Sequence, residues 1–177
     1  MRFSLNSSSD MRRRRSTALC AAAVAAFCLL PAAQAGASES WGATGSPAEF
    51  PDGRRYCMMW YGTGKVMPFM NITVLSDSQY VNIAAAGLSS ITTSTTGSLT
   101  IKSWTVPLSE ISEPVTRGSS TFVSAPLTDE ALSALLQGLV FGSNSEMSVE
   151  IGPVSLTFPL PHTGGDAAML MECRRSL

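Results

Sequence analysis

Residues 126–160 read PLTDEALSALLQGLVFGSNSEMSVEIGPVSLTFPL, and the hydrophobic period changes inside this stretch. Pro126-Leu127-Thr128-Asp129-Glu130 has the form of a helix start. Thr128 is placed to cap free backbone N–H groups, and two carboxylates follow in the first turn, where the helix dipole favours negative charge. Ala131, Leu132, Leu135, Leu136 and Leu139 recur at helical spacing, and Gly138 or Gly142 can end the helix. Gly142-Ser143-Asn144 then turns the chain. Met147–Ile151 and Val154–Leu160 follow as two strands joined at Gly152-Pro153. A helix leading directly into a hairpin predicts helices and antiparallel strands that share one core.

Upstream of this stretch the chain reads mostly as strands. Tyr56–Tyr61 is an apolar and aromatic run ending at Gly62. Val66–Leu75 is β-branched and aromatic, with Pro68 predicting an edge position or an irregular beginning. The turn residues Ser76-Asp77-Ser78 separate it from Gln79–Ala85, and the pair reads as a hairpin. Ser89–Ser98 is almost all Ser, Thr and Gly, which suits a mobile loop or a Thr-rich surface strand. Leu99–Val106 (LTIKSWTV) alternates as one strand, with Leu99, Ile101, Ser103 and Thr105 on one face and Thr100, Lys102, Trp104 and Val106 on the other. Pro107, Pro114 and Gly118 punctuate the next segment, and Thr121–Ser124 is a short strand. Downstream, Gly165-Asp166 begins a closing helix with Asp166 as its cap, an apolar stripe of Ala167, Leu170 and Met171, and Cys173 on the last turn. The expected fold is α+β: a mainly antiparallel β-sheet or sandwich-like domain with two short helices.

The first residues belong to a different class of sequence. Arg12 to Arg15 precede an apolar run from Ala18 to Leu30, Pro31 breaks the run, and Ala33-Gln34-Ala35 offers small residues at the positions a signal peptidase reads. The run is shorter than the roughly 20 residues a spanning helix needs. Residues 1–35 therefore read as a cleavable secretory signal, with Met11 an alternative initiator and Arg14-Arg15 leaving both general and twin-arginine export open. Residues 36–55, rich in Gly, Ser, Ala and Pro, read as a flexible leader whose one early large residue, Trp41, is a candidate anchor. Residues 56–177 read as a single globular domain in the periplasm or outside the cell, with no integral membrane span once the signal is removed.

Removal of the signal changes the electrostatic balance. Beyond Ala35 there are 7 Lys and Arg against 12 Asp and Glu, a net charge of about −5. Such a domain has no basic stripe for nucleic acid and no attraction to anionic membranes. Of four cysteines, Cys20 and Cys28 leave with the signal. Cys57 and Cys173 remain as an even pair in an oxidising compartment, which predicts a structural disulfide rather than a redox dithiol, since no C-x-x-C spacing is present.

An N-terminal strand carrying a Cys, the helix Ala131-Leu132-Ser133-Ala134-Leu135-Leu136-Gln137-Gly138-Leu139, the strand Leu156-Thr157-Phe158-Pro159-Leu160, and Gly164 and Ala167-Ala168 leading to Cys173 form an ordered pattern. This order resembles the invasion-associated locus B-like proteins of alphaproteobacteria and other small exported proteins, chiefly over the second half of the domain. The chain lacks the additional cysteines usual in such proteins. The resemblance implies a periplasmic or surface-associated protein of accessory or host-interaction type, and it carries over no catalytic residues.

Chemistry-bearing residues are sparse. His162 is the single histidine, in a turn between Pro161 and Thr163, and no G-x-S-x-G elbow accompanies any serine. One His and two oxidised Cys do not make a usual zinc site, so no metal and no cofactor are expected. The methionines beyond Ala35 (Met58, Met59, Met67, Met70, Met147, Met169, Met171) alternate in strand parity, which favours core filling over Cu(I) ligation. Glu146 and Glu150 share one strand face, a solvated position rather than a glycosidase pair. These features favour a non-catalytic binding or accessory protein with an unidentified protein partner, the alternative being a small hydrolase without a recognisable motif. Trp60, Tyr61 and Trp104 are the candidate contact residues, each with ordinary core packing as its competing role.

Overall fold

The computed structural model describes residues 40–62, 67–118 and 120–177. The expected signal segment and its cleavage site lie outside these residues. Among the described residues eleven strands run in order: β1 (Trp41–Ala43), β2 (Ala48–Glu49), β3 (Arg55–Tyr61), β4 (Phe69–Leu75), β5 (Gln79–Ala84), β6 (Gly97–Ile101), β7 (Trp104–Leu108), β8 (Val115–Arg117), β9 (Ser120–Pro126), β10 (Glu146–Ile151) and β11 (Val154–Pro159). Helix α1 (Asp129–Phe141) lies between β9 and β10, and α2 (Thr163–Arg174) follows β11. A seven-stranded sheet has the order β1-β3-β4-β5-β9-β8 with β2 also paired to β3, and a four-stranded sheet has the order β11-β10-β6-β7. Every strand pair described is antiparallel. The α+β expectation holds: among the described residues antiparallel strand outweighs helix, and two helices accompany the sheets.

Alternation explains how the sheets find their core. On β3, Cys57, Met59 and Tyr61 point into the core, as do Met70, Ile72 and Val74 on β4 and Val81 and Ile83 on β5. The four-stranded sheet supplies Leu99, Ile101, Val106, Leu108, Met147, Val149, Ile151 and Phe158 to the same cluster. Leu132, Leu135, Leu136 and Leu139 of α1 and Ala167, Leu170 and Cys173 of α2 complete it. An aromatic chain links the two sheets: Trp41 lies 5.5 Å from Tyr61, and Tyr61 meets Phe158 edge-on at 5.4 Å. Trp41 Nε1–H also donates to the Pro159 carbonyl at 2.7 Å.

Helix α1 begins as its sequence dictates. Thr128 Oγ1 accepts from the Ala131 N–H at 3.1 Å, with Asp129 and Glu130 in the first turn. It ends at Gly142, whose N–H donates to the Gly138 carbonyl. A side chain at Gly142 would collide with Ile101, so this glycine admits the β6–β7 hairpin against the end of the helix. The disulfide joins Cys57 on β3 to Cys173 on α2 across a sequence separation of 116. Closing a loop of that size removes roughly 4–5 kcal/mol of unfolded-state entropy in the simple chain model.

Three local expectations are corrected. Part of the leader is ordered: Trp41–Ala43 and Ala48–Glu49 pair with β3, because Trp41 finds both a buried ring contact and a carbonyl for its indole N–H. Leu99–Val106 is not one strand but a hairpin in which Ile101 faces Trp104 across the two-residue turn Lys102–Ser103. Lys102 takes the positive φ of 52° that such a tight turn demands. The closing helix starts at Thr163 rather than at Asp166, with His162 preceding it at φ 57°. The buried Thr163 Oγ1 donates to the Leu139 carbonyl at 2.9 Å, and this bond fixes the helix start against α1.

Candidate functional site

The β6–β7 turn and the last turn of α1 converge on one exposed feature. Trp104 opens β7 and is half-buried. Its cross-strand partner Ile101 reaches α1, where a Cβ placed on Gly138 would lie 3.2 Å from Ile101 Cδ1 and 3.5 Å from Trp104 Cβ. The missing side chain at Gly138 thus lets the hairpin seat Trp104 beside the helix. Phe141, the last residue of α1, is 65% exposed and stacks on Trp104 with ring centroids 6.0 Å apart and planes 14° apart. Lys102 Nζ donates to the Phe141 carbonyl at 3.1 Å, placing a cation at the negative end of the helix dipole. The result is an aromatic ledge with a fixed positive charge beside it.

The residues singled out in the sequence therefore separate. Tyr61 is 2% exposed and belongs to the core, where Trp41 and Phe158 flank its ring, so it is not a contact residue. Trp60 is half-buried on the face of the seven-stranded sheet opposite Tyr61, lying across Gly42, whose absent side chain makes room for the indole. Trp104 is the one that joins an exposed aromatic partner. Phe141 was not among the expected contact residues, yet a helical count would have found it. It lies two residues, or about 200°, past Leu139, off the stripe that α1 buries.

A buried polar row crosses the same face of the seven-stranded sheet as Trp60. Asn71, Asn82 and Ser124 are cross-strand neighbours in register. Asn82 Nδ2–H donates to Asn71 Oδ1 at 2.6 Å, Ser124 Oγ–H donates to Asn82 Oδ1 at 2.5 Å, and Thr73 Oγ1–H donates to Asn71 Oδ1 at 3.2 Å. Amides and hydroxyls satisfied by one another orient strands, and they lack the acid–base character a hydrolase requires.

Elsewhere the reactive groups are dispersed. His162 is exposed ahead of α2. Glu146 and Glu150 are exposed on β10, and Glu150 accepts from Ser155 Oγ at 2.7 Å. Burial raises the Asp166 carboxyl above the usual carboxylate range in the first turn of α2. A cleft of about 460 Å³ opens between the β4–β5 turn and the helices, lined in part by Asp77, Gln79, Asp129 and Arg174. There Gln79 and Arg174 both bond Asp129, at 3.2 and 2.5 Å, which neutralises its most prominent charges internally. Among the described residues no three His, Cys, Asp or Glu side chains gather as a metal site, and no helix is long and apolar enough to cross a membrane. No protein-family model, curated protein or solved structure matches the chain.

Proposed function

We propose that this chain is an exported binding or accessory protein, periplasmic or surface-associated and non-catalytic, that engages a protein partner through the Trp104–Phe141 ledge. The observation that carries the reading is the exposure of Phe141 while its ring is held parallel to Trp104. A large apolar ring left in water costs free energy unless something covers it, and rigid aromatic side chains lose little entropy when they are covered. The Cys57–Cys173 disulfide supports export, since such bonds persist in oxidising compartments. The basic and apolar sequence before Ala35 supports the same compartment, and the invasion-associated locus B-like resemblance belongs to this reading.

The test is site-specific photo-crosslinking in cells that export the protein. A photoreactive phenylalanine analogue at position 141 is expected to give a discrete protein adduct that Trp104→Ala weakens severalfold. The same analogue at exposed Glu146 on β10 should give none. Equal adducts at both positions, or none at 141, would remove the ledge as the contact site.

A further inference from the structure

Among the described residues the two sheets leave four edges, and three of them are blunted against pairing with another chain. On the seven-stranded sheet, one edge is split between β1 and β2, of three and two residues, and the other is β8, of three residues. On the four-stranded sheet, β7 carries Pro107. Ile101 and Trp104 close a two-residue hairpin and so exchange their hydrogen bonds, which turns the backbone groups of Thr105 and Pro107 away from β6. Pro107 therefore removes a donor from the outer edge, a familiar defence against edge-to-edge association.

The fourth edge, β11, has no such defence in its middle. It is six residues long, VSLTFP, and contains no charged residue. Gly152-Pro153 closes the β10–β11 hairpin on the pair Ile151 and Val154, so the alternate residues Ser155, Thr157 and Pro159 direct their backbone groups outward. The bond from Trp41 Nε1–H to the Pro159 carbonyl agrees with that phase and caps the far end of the strand. Ser155 and Thr157 are exposed, and Leu156 between them is only half-buried.

We infer that β11 pairs antiparallel with β11 of a second copy of this chain, on a dyad through Leu156. In that register Ser155 faces Thr157 of the second copy and Thr157 faces its Ser155, so each outward N–H meets an outward carbonyl. The two Leu156 side chains become direct cross-strand neighbours with Cβ atoms about 5 Å apart, which covers their exposed surface. The strand is self-complementary because its outward residues are both hydroxylic, its central residue is apolar, and no charge opposes its own image. Glu150, the nearest carboxylate on the adjacent strand, is hydrogen-bonded by Ser155 of its own chain. A single strand pair buries less than a standard stable interface, so the dimer is weak and reversible.

The experiment is sedimentation velocity of the exported protein from low to high micromolar concentration, with amide hydrogen exchange followed on the same samples. The sedimentation coefficient should rise toward the dimer value while exchange at Ser155 and Thr157 slows severalfold. Thr157→Pro, which deletes an outward donor and no bond within the sheet, should hold the protein monomeric. Leu156→Lys, which places a charge on the dyad, should do the same. Retention of the Cys57–Cys173 bond and of the circular dichroism spectrum verifies that both variants fold. Phe141→Ala should dimerise as the parent does, which separates this edge from the aromatic ledge. A monomer at every concentration with constant exchange at Ser155 and Thr157, or a dimer indifferent to both substitutions, would overturn the assignment.

Discussion

Asn82 sits at the centre of the buried polar row, donating to Asn71 and accepting from Ser124, and it is 4% exposed. Removing it would leave an amide oxygen and a hydroxyl without that shared partner in a place where water is scarce. An unsatisfied buried polar group costs about 1–3 kcal/mol, more than the bond itself contributes on balance. Asn82→Ala is therefore expected to lower unfolding stability by about 1–3 kcal/mol in urea titrations, with an unchanged slope. A change below about half a kcal/mol would mean that the row is solvated in solution. No sequence rule placed these residues together. Asn71 and Asn82 lie eleven positions apart on different strands, and only the strand register shows that each faces the other.

At the scale of elements, the α1 start was fully legible, because capping chemistry is local: Thr128 and the Ala131 N–H are three residues apart. Thr128→Ala should cost about 1 kcal/mol, whereas Thr128→Asp should cost little, a contrast readable by thermal unfolding. The β10–β11 hairpin was equally legible, since Gly152 supplies the positive φ its turn requires. The β6–β7 hairpin was not, because Lys-Ser is a weak turn signal and LTIKSWTV alternates without a visible break. A clue lay in the parity of the buried positions. Leu99 and Ile101 are odd, whereas Val106 and Leu108 are even, and a single strand buried on one face cannot change parity midway. The same parity argument could not sort Trp60 from Tyr61, because β3 carries large side chains on both faces, and which face meets the helices is a tertiary fact.

For the whole molecule, the disulfide was the most legible long-range contact, since only two cysteines remain beyond the signal-like segment. The aromatic ledge was half legible: Trp104 could be named, but its stacking on Phe141 depends on how a hairpin and a helix meet around Gly138 and Gly142. If β11 joins two copies, the four-stranded sheets become one continuous sheet, and the Trp104 ledges lie near its two far edges because β7 and β11 are opposite edges of each half. Two ledges on one particle would bind a repetitive partner more tightly than either alone, by raising its effective concentration.

The Cys57–Cys173 bond encloses nearly everything from β3 to α2 within a single covalent ring. The exposed Ser/Thr loop before β6, around Thr93 and Ser94, is the kind of segment that extracellular proteases cut first. A cut there opens the ring without dividing the molecule. The two pieces stay tied by sulfur as well as by their shared core, and the ledge on the far piece stays anchored to the strands of the near one. On a non-reducing gel the nicked protein should run as one species, and a reductant should release two. Separation without reductant would show that the ring was never closed. A backbone break in that loop would then be a tolerated wound rather than the end of the fold.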